Sequence, residues 1–195
     1  MSRHVMRGNI HYIPMGSGRR VMIEQIKLTV VLALTCLVLL GLETTALSKI
    51  RIPLFGWQAA GPALGLLLTM AVGFIYSERE GAVMGLFTGW LANTSIAGSS
   101  ILLYPILYVI CGYLSGTVGR RHLAHNLPSF SVFSLVGGGL HCLWALLEAL
   151  IRLRGIPPTV WILSGLIPVW VLTVLFSVPV YGLVRLEQWL LKPKK

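Results

Sequence analysis

Few residues of this sequence have the types and spacing that chemistry needs, and the most notable pair is His141 and Glu148. They are seven residues apart, which places them two turns apart on one face of a predicted helix. An ionisable side chain within an apolar helix is a candidate functional residue, with proton transfer as one role. The alternatives are structural: His141 as a neutral imidazole hydrogen-bonded to a neighbouring helix, and Glu148 as an ion pair with Arg152 four residues later.

Other polar groups in apolar surroundings are scarce. Glu43 lies late in the first apolar run and is expected either to extend to the membrane interface or to meet Lys49. His122 and His125 have the i, i+3 spacing of two metal ligands on a helical turn. No cysteine or acid accompanies them, so a basic turn that contacts anionic lipid is the preferred interpretation.

The sequence has no aspartate and no GxSxG, phosphate-loop, HExxH or Gly-rich dinucleotide motif. It offers no nucleophile with an evident base, and its three cysteines lie in separate apolar stretches without the spacing of a zinc site or disulfide framework. We therefore predict no catalytic, cofactor or metal site, and a protein that is not an enzyme.

The composition points to a membrane. The sequence is 55% hydrophobic and 11% charged, with a mean hydropathy of +0.80, whereas soluble domains carry about 25% charged residues. Such a chain cannot cover its surface with polar groups in water, which excludes the soluble, disordered and collagen-like classes. Its sixteen Lys and Arg residues form short groups between apolar runs, a pattern that indicates membrane topology and not nucleic-acid binding.

Six apolar runs predict an all-α integral membrane protein, a compact bundle of six transmembrane helices. At ~1.5 Å per residue, about 20 residues cross a ~30 Å hydrocarbon core, and the third run is short enough to be tilted or broken. Twelve of the sixteen basic residues lie on the side of both termini, so the termini are predicted to be cytoplasmic. The runs are 28–47, 59–76, 81–96, 101–119, 130–151 and 160–184.

These runs divide the chain into a basic polar N-terminal extension (1–26), a six-span membrane domain (27–191) and a basic tail (192–195). The charged segment Glu78-Arg79-Glu80 is predicted to form a cytoplasmic turn between the second and third helices. Its alternating charges suit a salt bridge to a partner protein or to Arg120 and Arg121 on the same face.

Glycines recur every fourth residue at Gly81, Gly85 and Gly89, and again at Gly112 and Gly116. This spacing leaves a line without side chains along a helix, where another backbone can approach closely. Two interpretations stay open: packing within the bundle, or docking of a partner's transmembrane helix.

Several short motifs, in order over about residues 27–191, resemble the rod shape-determining protein MreD family. They are Leu54-Phe55-Gly56, Arg79-Glu80-Gly81, Gly112-Tyr113-Leu114-Ser115-Gly116 before a double Arg, and Pro179-Val180-Tyr181 before Arg185. Asn93 stands where family members often carry Asp, so a role that depends on charge is not expected there, and Met22 is an alternative start of the chain.

The resemblance implies a multi-pass protein of the bacterial inner membrane without catalysis. MreD-like proteins act with MreC, with cytoskeletal MreB and with the peptidoglycan synthases of cell elongation. The implied function is a scaffold subunit of that machinery, with an MreC-like bitopic protein and membrane lipid as its partners and no nucleic acid.

A second hypothesis is a substrate-binding S component of an energy-coupling factor vitamin transporter, because those six-helix proteins are similar in architecture to MreD-like chains. They commonly present an AxxxA pattern on the first helix, and the corresponding segment Leu32-Ala33-Leu34-Thr35-Cys36-Leu37 lacks it. Neighbouring genes discriminate the two: an MreC-like partner favours the scaffold, whereas ATPase and vitamin-pathway genes favour transport.

Overall fold

The computed structural model describes residues 18–45, 61–95, 103–121, 126–152 and 165–191. All regular structure within these ranges is helical, so the predicted all-α class is confirmed for the described residues. The helices are α1 (Gly18–Thr45), α2 (Leu64–Ile75), α3 (Glu78–Ser95), α4 (Leu103–Arg121), α5 (Leu127–Arg152) and α6 (Ile167–Leu191).

The helix ends differ from the apolar runs at three places. The helix α1 begins at Gly18, so the last part of the expected polar extension is helical, and α6 continues to Leu191, past the predicted end at residue 184. These two helical extensions contain Arg, Glu and Gln, with Lys in α1 and Leu in α6. All of these residue types favour a helix, although most of them are polar. In the opposite sense, α2 has only 12 residues, because Pro62 precedes its start and cannot donate a backbone hydrogen bond within a helix.

Two segments are long and apolar enough to cross a membrane, Leu127–Leu147 of α5 and Ile167–Leu190 of α6. The described parts of α1, α2 and α4 contain shorter apolar segments, Val30–Glu43, Leu64–Ile75 and Tyr104–Gly119. Among the described residues, two of the six predicted spans therefore coincide with helical segments that are long and apolar enough to cross a membrane.

The short helix α2 forms the core. All of its residues are buried, and it contacts α1, α3, α4, α5 and α6. A helix that is apolar on every side is stable only when other elements cover it completely. At its end, the ring of Phe74 meets those of Phe130 and Tyr181 edge-on, at centroid distances of 5.7 and 6.4 Å.

A few hydroxyl side chains are buried within the apolar core of the bundle, and many large apolar side chains are exposed on its outside. Thr69, Thr88 and Ser115 are completely buried, whereas Val83 and Trp90 are 69% and 61% exposed. Each buried hydroxyl hydrogen-bonds to a backbone carbonyl of its own or an adjacent helix, which removes the cost of burying it. The interior is apolar as in a domain folded in water, but the large apolar side chains exposed on the outside are more numerous than such a domain carries.

Candidate functional site

The charged segment Glu78-Arg79-Glu80 is the first turn of α3, and the predicted interhelical turn is wrong at these residues. Ser77 caps the helix: its Oγ accepts a hydrogen bond from the Glu80 N–H at 3.3 Å, and its carbonyl accepts one from the Gly81 N–H at 3.0 Å. The sequence from Ser77 to Glu80 has the Ser-x-x-Glu pattern of a capping box. Its two acids, Glu78 and Glu80, also lie at the positive end of the helix dipole, which stabilises negative charge. This charged segment is therefore compatible with a helix and does not require a loop.

Beyond this turn, the glycine line of α3 packs directly against the backbone of α4. A Cβ atom at any of the three glycines would lie less than 3 Å from backbone atoms of α4, a separation at which the helices would have to move apart. The two helices are antiparallel, because contacts with higher residue numbers in α3 have lower numbers in α4. Gly81 meets Gly112, Gly85 meets Tyr108, and Gly89 meets Pro105.

The glycines of α4 make the reciprocal approach. Gly112 lies against the Gly81 carbonyl and Gly116 against the backbone of Glu78, while Gly73 of α2 approaches Gly112 from a third direction. The Ser115 hydroxyl donates to the Met70 carbonyl at 2.9 Å, which ties α4 to α2. The glycine line is thus covered within the chain, and a partner helix has no access to it in this arrangement.

At the other end of the bundle, Glu43 of α1 caps the N-terminus of α2. Its Oε2 accepts hydrogen bonds from the N–H groups of Leu64 at 3.0 Å and Gly65 at 3.2 Å, and the Thr173 hydroxyl of α6 accepts from the Ala63 N–H at 3.0 Å. These N–H groups have no partner inside the helix. Glu43 therefore turns into the bundle and not toward the interface, and Lys49, its other expected partner, lies outside the described residues.

His141 lies in an aromatic cluster near Glu43 in the same half of the bundle. Its ring is 5.8 Å from that of Tyr104 and 6.0 Å from that of Tyr108, centroid to centroid. Its Nδ1 is buried and meets no hydrogen-bond partner among the described residues, and the same is true of Trp144 Nε1, one turn away. The interhelical hydrogen bond expected of this imidazole is therefore not made at Nδ1.

Glu187 is a buried acid that the sequence analysis missed. It is 9% exposed, and one carboxylate oxygen accepts from the Thr35 hydroxyl of α1, while Oε2 has no partner in the described part of the chain. The signal was available: Glu187 continues the buried stripe of Val180 and Val184 at helical spacing.

The remaining candidates are dispersed. Asn93 is partly buried near the end of α3, about two turns beyond Gly85 along the helix. Arg120 and Arg121 end α4 and Glu148 lies in α5, but their side chains lie outside the described residues, as do His122 and His125. Among the residues that the structure describes, no three His, Cys, Asp or Glu side chains form a group that would hold a metal ion.

Comparison with known proteins adds no relative. No protein-family model, curated protein or solved structure matches this chain. The functional interpretation depends on the residues and their geometry.

Proposed function

We propose that this chain is a multi-pass membrane protein that acts as a non-catalytic scaffold subunit of the bacterial cell-elongation machinery and binds an MreC-like bitopic partner. Support for the membrane comes from the exposed faces of the helices, where Val38, Val83 and Leu175 are each more than 60% exposed. Exposed large apolar side chains in such number are unusual on soluble monomers.

The finer proposal is six spans with both termini in the cytoplasm, as the distribution of basic residues indicates. The short α2, about 18 Å long by its residue count, is compatible with this. Because α2 is buried in protein throughout, its ends contact other helices and not lipid, so its length need not match the bilayer.

The observation that carries the scaffold proposal is the position of the motifs that resemble MreD. Arg79-Glu80-Gly81 begins α3 at its contact with α4, and Gly112 and Gly116 supply the other side of that contact. The ring of Tyr181, from the last motif, is 5.1 Å from that of Phe130. Three of the four motifs behind the resemblance therefore lie at helix contacts of the bundle, and the fourth, Leu54-Phe55-Gly56, lies outside the described residues.

The charged first turn of α3 is the proposed contact with the partner at the cytoplasmic face. Arg79 and Glu80 are exposed and held in place by the Ser77 cap. An exposed ion pair contributes only ~0.2 to 1 kcal/mol, so such a contact adjusts an assembly that apolar helix faces hold together.

One observation favours the second hypothesis, a solute-binding S component. His141 Nδ1 and Trp144 Nε1 are buried without partners among the described residues, and an indole N–H can only donate. A bound solute with an acceptor group would satisfy it. The missing AxxxA pattern on α1 speaks against this alternative.

The test is association with a co-expressed MreC-like protein. Arg79→Glu should lower the amount of partner that co-purifies from detergent by roughly two- to fivefold, the loss expected for an exposed ion pair, while membrane insertion is unchanged. Arg185→Glu makes the same charge reversal on α6, where the side chain is also exposed, and serves as the matched control. Equal recovery with wild type and both variants would remove the α3 turn from the interface.

A further inference from the structure

A groove of about 400 Å³ runs along the surface between α1 and α3. Its walls are apolar, with Leu32 and Ala33 from α1 and Val83, Met84 and Phe87 from α3. Arg79 and Glu80 lie at one end. The glycine contacts of α3 are on the side toward α4, so this groove uses the part of α3 that the bundle leaves uncovered.

The groove has a charged end and an apolar length. Arg79, Val83 and Phe87 follow one another at four-residue spacing, so this stripe extends about 12 Å along the helix. In the six-span topology the first turn of α3 lies at the cytoplasmic interface, and the apolar part of the groove lies in the hydrocarbon region. A phospholipid has the same arrangement, with a charged headgroup at the interface and an apolar acyl chain in the hydrocarbon region.

The size of the groove favours an acyl chain over a helix. Two turns of an α-helix about 11 Å in diameter occupy roughly 1,000 Å³ with their side chains, so a helix would lie across the mouth of this groove of about 400 Å³ and not within it. A single hydrocarbon chain has no such bulk.

The charges at the end of the groove select the headgroup. The Arg79 guanidinium presents several donors to a phosphate. The Glu80 carboxylate, on the next residue, repels an anionic headgroup and accepts hydrogen bonds from a primary ammonium. A choline headgroup carries its positive charge on a nitrogen without N–H donors, so it satisfies Glu80 less well.

We propose that the α1–α3 groove binds one phosphatidylethanolamine molecule, with its phosphate on Arg79, its ammonium on Glu80 and an acyl chain along Val83 and Phe87. This inference depends on the proposed membrane embedding but not on the scaffold function. It assigns Arg79 and Glu80 a lipid ligand in addition to any protein partner.

The experiment is a lipid titration of the detergent-solubilised full chain, followed by native mass spectrometry. Palmitoyl-oleoyl phosphatidylethanolamine, phosphatidylglycerol and phosphatidylcholine are compared in separate titrations. Phosphatidylethanolamine should bind roughly tenfold or more tightly than either of the others, the scale of one hydrogen bond to a charged group. Glu80→Gln should abolish this preference, and Arg79→Gln should weaken binding of all three lipids.

Ala33→Phe fills the groove from the α1 side and should reduce binding of all three lipids, whereas Val30→Phe adds the same ring to an exposed position of α1 that does not line the groove. If Ala33→Phe fails to fold, the exposed Glu80→Gln exchange still decides the proposal. Equal affinity for the three lipids in wild type, or an unchanged preference in Glu80→Gln, would overturn it.

Two controls separate this proposal from the others. Failure of the wild-type chain to float with vesicles of phosphatidylethanolamine and phosphatidylglycerol would contradict membrane embedding and the lipid site together. Loss of self-association or of partner recovery in Ala33→Phe, with lipid binding intact, would show that a protein occupies the groove and would overturn the lipid assignment alone.

Discussion

Replacing Gly85 with alanine places a methyl group where α3 and α4 leave no room. The new Cβ would lie less than 3 Å from the backbone carbonyl of Tyr108 and from the Val109 nitrogen. Because these are backbone atoms, a rotamer change cannot relieve the contact, and one helix has to shift. Overpacking of this kind costs about 1 to 3 kcal/mol.

A glycine-to-alanine exchange has the opposite effect where there is space. In α6, a Cβ at Gly182 would meet nothing within 4 Å, and alanine in a helix is favoured over glycine by about 0.5 to 1 kcal/mol. Gly182→Ala is therefore the matched control. Because this propensity gain is common to both helical positions, the difference between the two variants should be the overpacking cost, roughly 1 to 3 kcal/mol.

The assay is thermal unfolding of the purified chain in detergent, followed by far-UV circular dichroism. At about 2 to 4 °C per kcal/mol for a chain of this length, Gly85→Ala should lower Tm by several degrees, and Gly85→Leu should lower it further or prevent recovery of folded protein. Gly182→Ala should leave Tm unchanged or raise it. Equal Tm values for Gly85→Ala and Gly182→Ala would refute the close packing of α3 on α4.

Further predictions concern topology, the α2 cap and the partner contact. Reporter fusions after Arg121 and after Lys195 should both report the cytoplasm and a fusion after Arg154 the exterior; opposite locations for the first two would exclude six spans. Glu43→Ala leaves the Gly65 N–H without its acceptor and the Leu64 N–H with the Pro62 carbonyl alone, and it should destabilise the bundle by about 1 to 3 kcal/mol in chemical unfolding, with Glu43→Gln less affected because its amide oxygen still accepts. If both variants unfold like wild type, the cap does not contribute. Arg79→Glu should disturb rod shape in a complemented strain while Arg185→Glu does not, as counted by light microscopy, and normal rods in both would separate this turn from morphogenesis.

The close approach of helices at the glycines was predictable from the sequence, because every fourth residue of an α-helix falls on one face. The neighbour that fills that face was not, since four-residue spacing is the same whether α4 or another protein packs against it. The structure assigns the contact through Gly112 and Tyr108, positions that the spacing in α3 alone does not identify.

The errors have a common origin in hydropathy. Hydropathy marks where a helix becomes polar and not where it ends. The polar first turn of α3 was therefore predicted to be a turn between helices. For the same reason Glu187, which follows Arg185 in a helix that continues to Leu191, was placed beyond the last span. The cap at Glu43 was inaccessible to sequence reasoning because its acceptor and its donors come from different helices, 21 and 22 residues apart.

The central claim is that this chain is a scaffold subunit that binds an MreC-like partner. The most direct measurement is isolation of the tagged full-length chain from bacterial membranes at native expression level, with its companions quantified by mass spectrometry. The proposal predicts an MreC-like bitopic protein in near-equal amount, together with elongation peptidoglycan synthases and without a bound vitamin. Recovery of a transport ATPase and a bound solute in place of the MreC-like protein would contradict it.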